Sequence, residues 1–336
     1  MSEQWVVSQF TVVSWQGGRV ELTSATSGLS FVADDLELVR LVHAFARPRT
    51  IDDVVRELAA PVPERLANRI DDLIRAGLLA PASECEAATA HHWDWSALAY
   101  HRRSRQWVGR SVAVQAAPAV APHASADWIP LVGGAVEGRR DLTSVLEARR
   151  SVRAWPAVPV SFETFSRLLW LSARNRERSN GGADGAHVSR PYPSGGAAYS
   201  LEIYPVIASG AVAALGTGVY RYLPDCHGLE LVSKQRADVS AFLDAAGRSA
   251  GAGAPPIVLL VTSRFARQGE LYGSLAYSLV LKEVGGLFQT LYLVAEELGL
   301  GACALGGGAP FGRLARLCGT NELAEPVVGE FSIGPR

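Results

Sequence analysis

The chain has 336 residues, 48% of them apolar and 19% charged, and its formal net charge at pH 7 is −1. That balance excludes a disordered chain and leaves length for two domains with a sizeable core in at least one. A net charge this small also argues against nucleic acid or a membrane surface held by bulk electrostatics.

Residues 4–33 alternate apolar and polar in short runs (Trp5–Val7, Phe10–Val13, Val20–Leu22) broken by Gly17 and Gly18, which predicts a hairpin or small sheet. Three short amphipathic helices follow over 34–79. Asp34 and Asp35 precede the first, Thr50 is an N-cap for the second with Asp52 and Asp53 in its first turn, and Pro63-Glu64 opens the third, which Gly77 closes. Three helices with flanking strands make a winged-helix-like module, residues 1–82. Such a module suggests DNA binding, yet Arg65, Arg69 and Arg75 are offset by Glu64, Asp71 and Asp72, whereas phosphate contacts need a clear positive excess. The run DLELVRLVHAFARPRTIDDVVRELA…LIRAGLLAP resembles the small peptide-binding module of enzymes that modify ribosomally made peptides, in which a leader peptide adds as a strand to the sheet. A packing domain without a ligand is the alternative.

Residues 83–140 read as a linker or arm. His91 and His92 have no carboxylate or cysteine at ligand spacing, and His101–Arg105 reads as a solvated basic helix face. Ala-, Val- and Pro-rich 110–130 reads as an extended arm of the kind that wraps a partner. Cys85, Cys226, Cys303 and Cys318 form no C-x-x-C pair, so neither a metal site nor a disulfide framework is expected. No basic-then-apolar signal opens the chain and no apolar run reaches membrane-spanning length, so no membrane association and a cytoplasmic location are expected.

The second domain, 141–336, begins with a helix at Leu142, Val145 and Leu146. It leads into Arg149, Arg150, Ser151 and Arg153, planar donors and a hydroxyl that could converge on a phosphate; a surface cluster paired with Glu147 is the alternative. Ser161 caps a helix carrying Phe162, Phe165, Leu168 and Leu169. Polar, Gly-rich 174–190 reads as a mobile loop. Pro193-Ser194-Gly195-Gly196 then offers a hydroxyl beside two glycines that permit close backbone approach to a ligand. Strand alternation marks 201–206, a hairpin joins 218–222 to 229–232, and the apolar run 257–263 reads as a buried strand.

Residues 270–308 carry the strongest pattern. Leu287, Leu291, Val294, Ala295 and Leu298 recur at helical spacing, and Leu279, Leu281 and Val284 extend the apolar character. One long helix is predicted, apolar on more than one face and so buried in a core or against a second subunit. Gly299 is its C-cap, with Glu296 and Glu297 opposing the macrodipole. Cys303 follows, a reactive thiol or a small buried apolar residue.

Together ARRSVRAW, RPYPSGGAAYSLEIYPV, VYRY, YGSLAYSLVLKEVGGLFQTLYLVAEELGLGACALGGG and VGEFSIG resemble, over 141–336, a nitroreductase-fold flavoprotein. More narrowly they resemble the SagB-type and McbC-type dehydrogenases, which use FMN to oxidise thiazolines and oxazolines in peptides. The resemblance implies an α+β sandwich, a homodimer formed through the helix at 276–298, and FMN at the interface. Arg149, Arg150, Ser151 and Arg153 would hold its phosphate and ribityl oxygens. Pro193–Gly196 would run along the flavin ring, the amides of Leu305, Gly306 and Gly307 would face its N5 side, and Gln289 would lie nearby. A precursor peptide is the implied substrate and a cyclodehydratase a possible partner.

Azoline oxidation needs a base, and the family's Lys-Tyr pair matches Leu271 and Tyr272. Tyr277 also matches, while Ser278 stands for an arginine and Gly286 for a histidine. Either Tyr272 serves alone or the substrate is not an azoline. The alternatives are an NAD(P)H-dependent nitro- or enone-reductase on the same fold and a non-catalytic scaffold of a peptide cyclase complex.

Overall fold

The computed structural model describes residues 3–33, 37–58, 63–85, 95–103, 128–134, 140–179, 187–306 and 313–336. His91, His92, most of 110–130 and Gly307 lie outside them. The chain divides into two compact units, 1–107 and 108–336.

The first unit contains β1 (Trp5–Val7), β2 (Thr11–Gln16), β3 (Arg19–Ser24), β4 (Ser30–Ala33), α1 (Glu37–Ala44), α2 (Ile51–Glu57), α3 (Pro63–Arg75), β5 (Leu79–Pro81), α4 (Ala82–Cys85) and α5 (Trp95–Arg103). Gly17 and Gly18, at φ 57° and 82°, make the tight turn between β2 and β3, and β4 completes an antiparallel meander. β1 pairs instead with β5, Val6 opposite Ala80. Thr50 Oγ1 accepts the Asp53 N–H at 3.2 Å, the expected cap. Leu22, Leu41, Phe45, Val54, Ile70 and Leu73 form the core. On α3, Arg75 pairs with Asp72 at 3.4 Å, so part of its basic charge is neutralised on its own helix.

The second unit contains β6 (Ile129–Pro130), α6 (Leu142–Ala148), α7 (Phe162–Ala173), β7 (Glu177–Ser179), β8 (His187–Ser189), β9 (Leu201–Ile207), β10 (Gly218–Leu223), β11 (Gly228–Ser233), α8 (Arg236–Ser249), β12 (Ile257–Ser263), α9 (Phe265–Tyr272), α10 (Ala276–Glu297), β13 (Leu300–Leu305), α11 (Arg313–Leu317) and β14 (Val327–Pro335). Seven strands form an antiparallel sheet in the order β13-β14-β12-β9-β10-β11-β6. Leu259 and Val261 of β12 join α7 and α10 in one core, while Val258 and Leu260 join α8 in another. A strand covered on both faces needs no polar alternation, which is why 257–263 reads as a continuous apolar run. Helices on both faces of one antiparallel sheet make this unit α+β.

Two expectations need correction. The flanks of the predicted loop at 174–190 pair as a ladder, β7 with β8. The long helix runs over Ala276–Glu297, as expected for 276–298, and Gly273 (φ 51°, ψ −122°) ends α9 and turns the chain just before it. Phe265–Glu297 taken together is, by length and composition, apolar enough to cross a membrane. Its apolar residues have another use: Val280, Val284, Leu287, Leu291 and Ala295 are buried in the core formed with the sheet. The acids that close α10 are also accounted for, since buried Glu296 accepts from Arg140 at 3.0 Å and pairs with Arg336.

Candidate active site

Two groups of residues gather on α10. The first lies where the chain enters β9. After Pro193 and Ser194, a 3-10 turn covers Gly195–Ala197. Gly196 has φ 61°, and Ala197 and Tyr199 follow at 52° and 43°. Left-handed backbone costs a residue with a Cβ about 1–2 kcal/mol, so this turn persists only because its surroundings hold it. Ser194 Oγ accepts the Tyr199 N–H at 2.9 Å, and Arg267 Nη1 donates to the Tyr199 carbonyl at 2.9 Å. The Tyr199 ring meets Tyr192 edge-on at 5.7 Å and the Arg190 guanidinium at 5.5 Å.

Tyr272 closes on this turn from the end of α9. A Cβ added to Gly196 would lie 2.5 Å from its hydroxyl. Gly286, which stands where the family pattern has histidine, makes room for Pro193: a Cβ there would lie 3.2 Å from Pro193 Cδ. Tyr277 is exposed and tilts against Phe265, centroids 6.2 Å apart.

A buried polar knot backs the turn. Glu283 Oε2 accepts from Gln268 Nε2 at 3.3 Å and from Ser200 Oγ at 3.2 Å, and Gln268 Nε2 also reaches the Gly195 carbonyl at 3.5 Å. Burial pushes the Glu283 carboxyl above the usual carboxylate range, and hydrogen bonds from Ser194 and Gln268 with the nearby Arg190 charge offset this only in part. Oε1 of Glu283 and Oε1 of Gln268 have no hydrogen-bond partner among the described residues.

The second group lies at the edge strand β13. Arg149 ends α6, and the chain then runs beside β13, with the Val152 N–H donating to the Ala302 carbonyl at 2.9 Å. The Arg149 guanidinium lies over the Tyr292 ring, 5.3 Å from its centroid. Arg150, Ser151 and Arg153 are exposed. Arg150 donates to the backbone carbonyls of Glu147 and Arg149 at 2.6 and 2.9 Å, so its link to Glu147 is not the side-chain ion pair considered above. Gln289 is exposed on α10, Leu305 ends β13 with its side chain in the α8 core, and Gly306 follows it, exposed. Cys303 is buried, the packing role.

Sequence reasoning missed Tyr292, Glu283 and Gln268. Tyr292 is a half-buried aromatic in an apolar helix, and nothing in the spacing separates it from core residues. A glutamate at a buried helical position was a signal, because charged residues are rarely buried without a role.

The second unit is thus a helix-flanked antiparallel sheet with an arginine–hydroxyl segment along one edge and a strained glycine turn against its long helix. The nitroreductase family model matches residues 146–334, and the chain belongs to the nitroreductase family. It is 31% identical over 165 residues to MJ1384 of Methanocaldococcus jannaschii, a protein named for that family, covering 49% of this chain and 78% of that protein. It is 34% identical over 119 residues to the microcin B17-processing protein McbC of Escherichia coli, covering 35% of this chain and 44% of McbC. Similarity to the trifolitoxin-processing protein TfxB of Rhizobium leguminosarum bv. trifolii is lower, 24% over 291 residues, but covers 76% of each chain.

Proposed function

We propose that this protein oxidises azoline rings to azoles in a ribosomally made peptide, with FMN as its cofactor. The observation that carries the reading is the similarity to two relatives named for processing microcin B17 and trifolitoxin, one of them matched over most of its length.

The residues present fit FMN. Arg149, Arg150 and Arg153 form no ion pair with a carboxylate among the described residues, so the donors that Arg150 does not give to backbone carbonyls, those of Arg149 and Arg153, and the Ser151 hydroxyl are available to a phosphate. Gly195 and Gly196 carry no Cβ, so their backbone can approach a ligand closely, while the side of Gly196 that a Cβ would take faces the Tyr272 hydroxyl. Leu305, Gly306, Gly307 and Gln289 are the remaining assigned contacts. FMN, when bound, supplies the two-electron acceptor.

The chain's own residues must hold the substrate ring and take up a proton. Azoline-to-azole conversion removes two hydrogens from adjacent ring carbons, one of them as a proton. We assign that proton to Tyr272 Oη, poised over Gly196; the oxygen accepts it only as the phenolate and is left as the phenol. Leu271 precedes it where the family has lysine, and Lys282 is exposed on α10.

The two groups flank an exposed strip of the helix. Gly286 and Tyr292 are six residues apart, hence about 9 Å along the axis and about 120° around it. Gly285 and Gln289, both exposed, lie between them around the helix axis. This supports a homodimer in which a second copy covers the strip and completes the site. Residues 1–82 are proposed to bind the leader of the precursor peptide, 83–140 to serve as a linker and 141–336 as the FMN domain, with a cyclodehydratase as partner. Trp15 and Val13, 63% and 50% exposed on the outer strand β2, support a peptide-binding edge.

The visible spectrum of the purified protein, with the released cofactor identified by mass, tests the cofactor. Anaerobic bleaching on adding an azoline peptide tests the reaction, and Tyr272→Phe should slow it sharply while FMN stays bound. Rapid NAD(P)H oxidation with nitro or enone acceptors and no response to azolines would favour a reductase. Failure to bind FMN would leave the scaffold role.

A further inference from the structure

We propose that the Tyr292 hydroxyl is a positioning group that orients Ser151 as a phosphate donor, so that this one oxygen sets the preference of the site for FMN over riboflavin. The inference rests on the FMN reading above.

The argument starts from the unpaired side of β13. An edge strand leaves outward-facing N–H and C=O groups that need partners. The Ala302 carbonyl takes the Val152 N–H, and the Ala304 N–H donates to Tyr292 Oη at 2.7 Å. A backbone N–H can only donate, so the tyrosine oxygen accepts in that bond. Its single proton remains for Ser151 Oγ, 3.1 Å away. A serine hydroxyl has one proton and two lone pairs. Once Ser151 Oγ accepts from Tyr292, its own proton is free for a ligand at the exposed edge. The opposite arrangement, Ser151 donating to Tyr292, would turn serine lone pairs outward and repel a phosphate.

The rest of the tyrosine keeps this oxygen in place. Its ring packs edge-on against buried Phe331, centroids 4.9 Å apart at 77°, and its face carries Arg149. One side chain therefore ties three things together: the amide of the edge strand, the serine proton and the first arginine. In Tyr292→Phe the ring and its arginine contact remain, while the hydroxyl that polarises Ser151 is lost.

The test titrates the flavin-free full chain with FMN and, separately, with riboflavin, following flavin fluorescence. Riboflavin has the same ring and ribityl chain without the phosphate. Tyr292→Phe should weaken FMN binding roughly tenfold, the scale of one hydrogen bond to a charged group, and leave riboflavin binding within about twofold. Ser151→Ala, an exposed change with little folding risk, should give the same phosphate-specific loss, and the double variant should be no weaker than either single one. Unchanged FMN affinity in Tyr292→Phe, equal loss of both flavins, or additive losses in the double variant would each overturn the proposal. If the wild-type chain binds neither flavin, the FMN reading itself falls, and this inference with it.

Discussion

Replacing Gly196 by alanine tests whether the contact between Tyr272 and the glycine turn is real. Two costs can be separated. The first is backbone: at φ 61° and ψ 20° a Cβ costs about 1–2 kcal/mol, less the roughly 0.4–1 kcal/mol gained by restricting the unfolded chain. The second is steric. The new methyl would sit 2.5 Å from the Tyr272 hydroxyl, with the ring carbon Cζ at 3.4 Å. Overpacking of this kind costs about 1–3 kcal/mol, toward the low end here because the far end of a tyrosine can swing away. Tyr272→Phe removes only the oxygen, after which the nearest ring atom is at ordinary contact distance. Gly196→Ala should thus cost more in the wild-type background than in Tyr272→Phe, with a coupling on the order of 1 kcal/mol in urea unfolding. It should also slow azoline oxidation, because the methyl displaces the hydroxyl. Additivity within about 0.5 kcal/mol, or wild-type turnover in Gly196→Ala, would show that Tyr272 does not rest on this turn.

Glu283→Gln addresses the buried acid. A carboxyl whose pKa is raised on folding stabilises the protein fully below its unfolded value, about 4.3, and that contribution is lost as pH rises through the folded value. The amide has no such dependence, so the variant should gain on the wild type in urea midpoint between pH 5 and pH 8; parallel pH curves would mean that Glu283 ionises as an ordinary exposed acid. Gly301→Ala would place a Cβ 2.8 Å from Val152 Cγ1 and should cost about 1–3 kcal/mol while weakening FMN binding, by pushing the arginine segment off β13; a stable variant with unchanged FMN affinity would break that link. Ser161→Ala should cost about 1 kcal/mol in thermal or urea unfolding, since Ser161 Oγ accepts the Thr164 N–H at 3.0 Å as the N-cap of α7.

Much of the fold could be read from local chemistry because local chemistry decides it. Ser161 and Thr50 cap helices by accepting an N–H three residues on, a bond set by sequence spacing alone. The run 257–263 is apolar throughout because helices cover both faces of β12. The bounds of α10 were legible too: the resemblance implies a helix at 276–298 and the structure has it at Ala276–Glu297, with α9 before it ended by one glycine at φ 51°.

The site divides along the same line. Segments recognisable by composition, the arginines at 149–153 and the glycines at 195–196, do lie against α10 or the strand beside it. What organises them is long-range. Tyr292 reaches Ser151 across 141 positions, and Ser200 reaches Glu283 across 83. The left-handed backbone at Ala197 and Tyr199 also goes against local preference, and neither residue type announces it. A strained turn survives only where distant groups hold it, here Arg267 on the Tyr199 carbonyl and Tyr272 over Gly196. The features hardest to read from the sequence are therefore the ones proposed to place a ligand: the left-handed turn is locally unfavourable, and each contact is made by a residue far away in the chain.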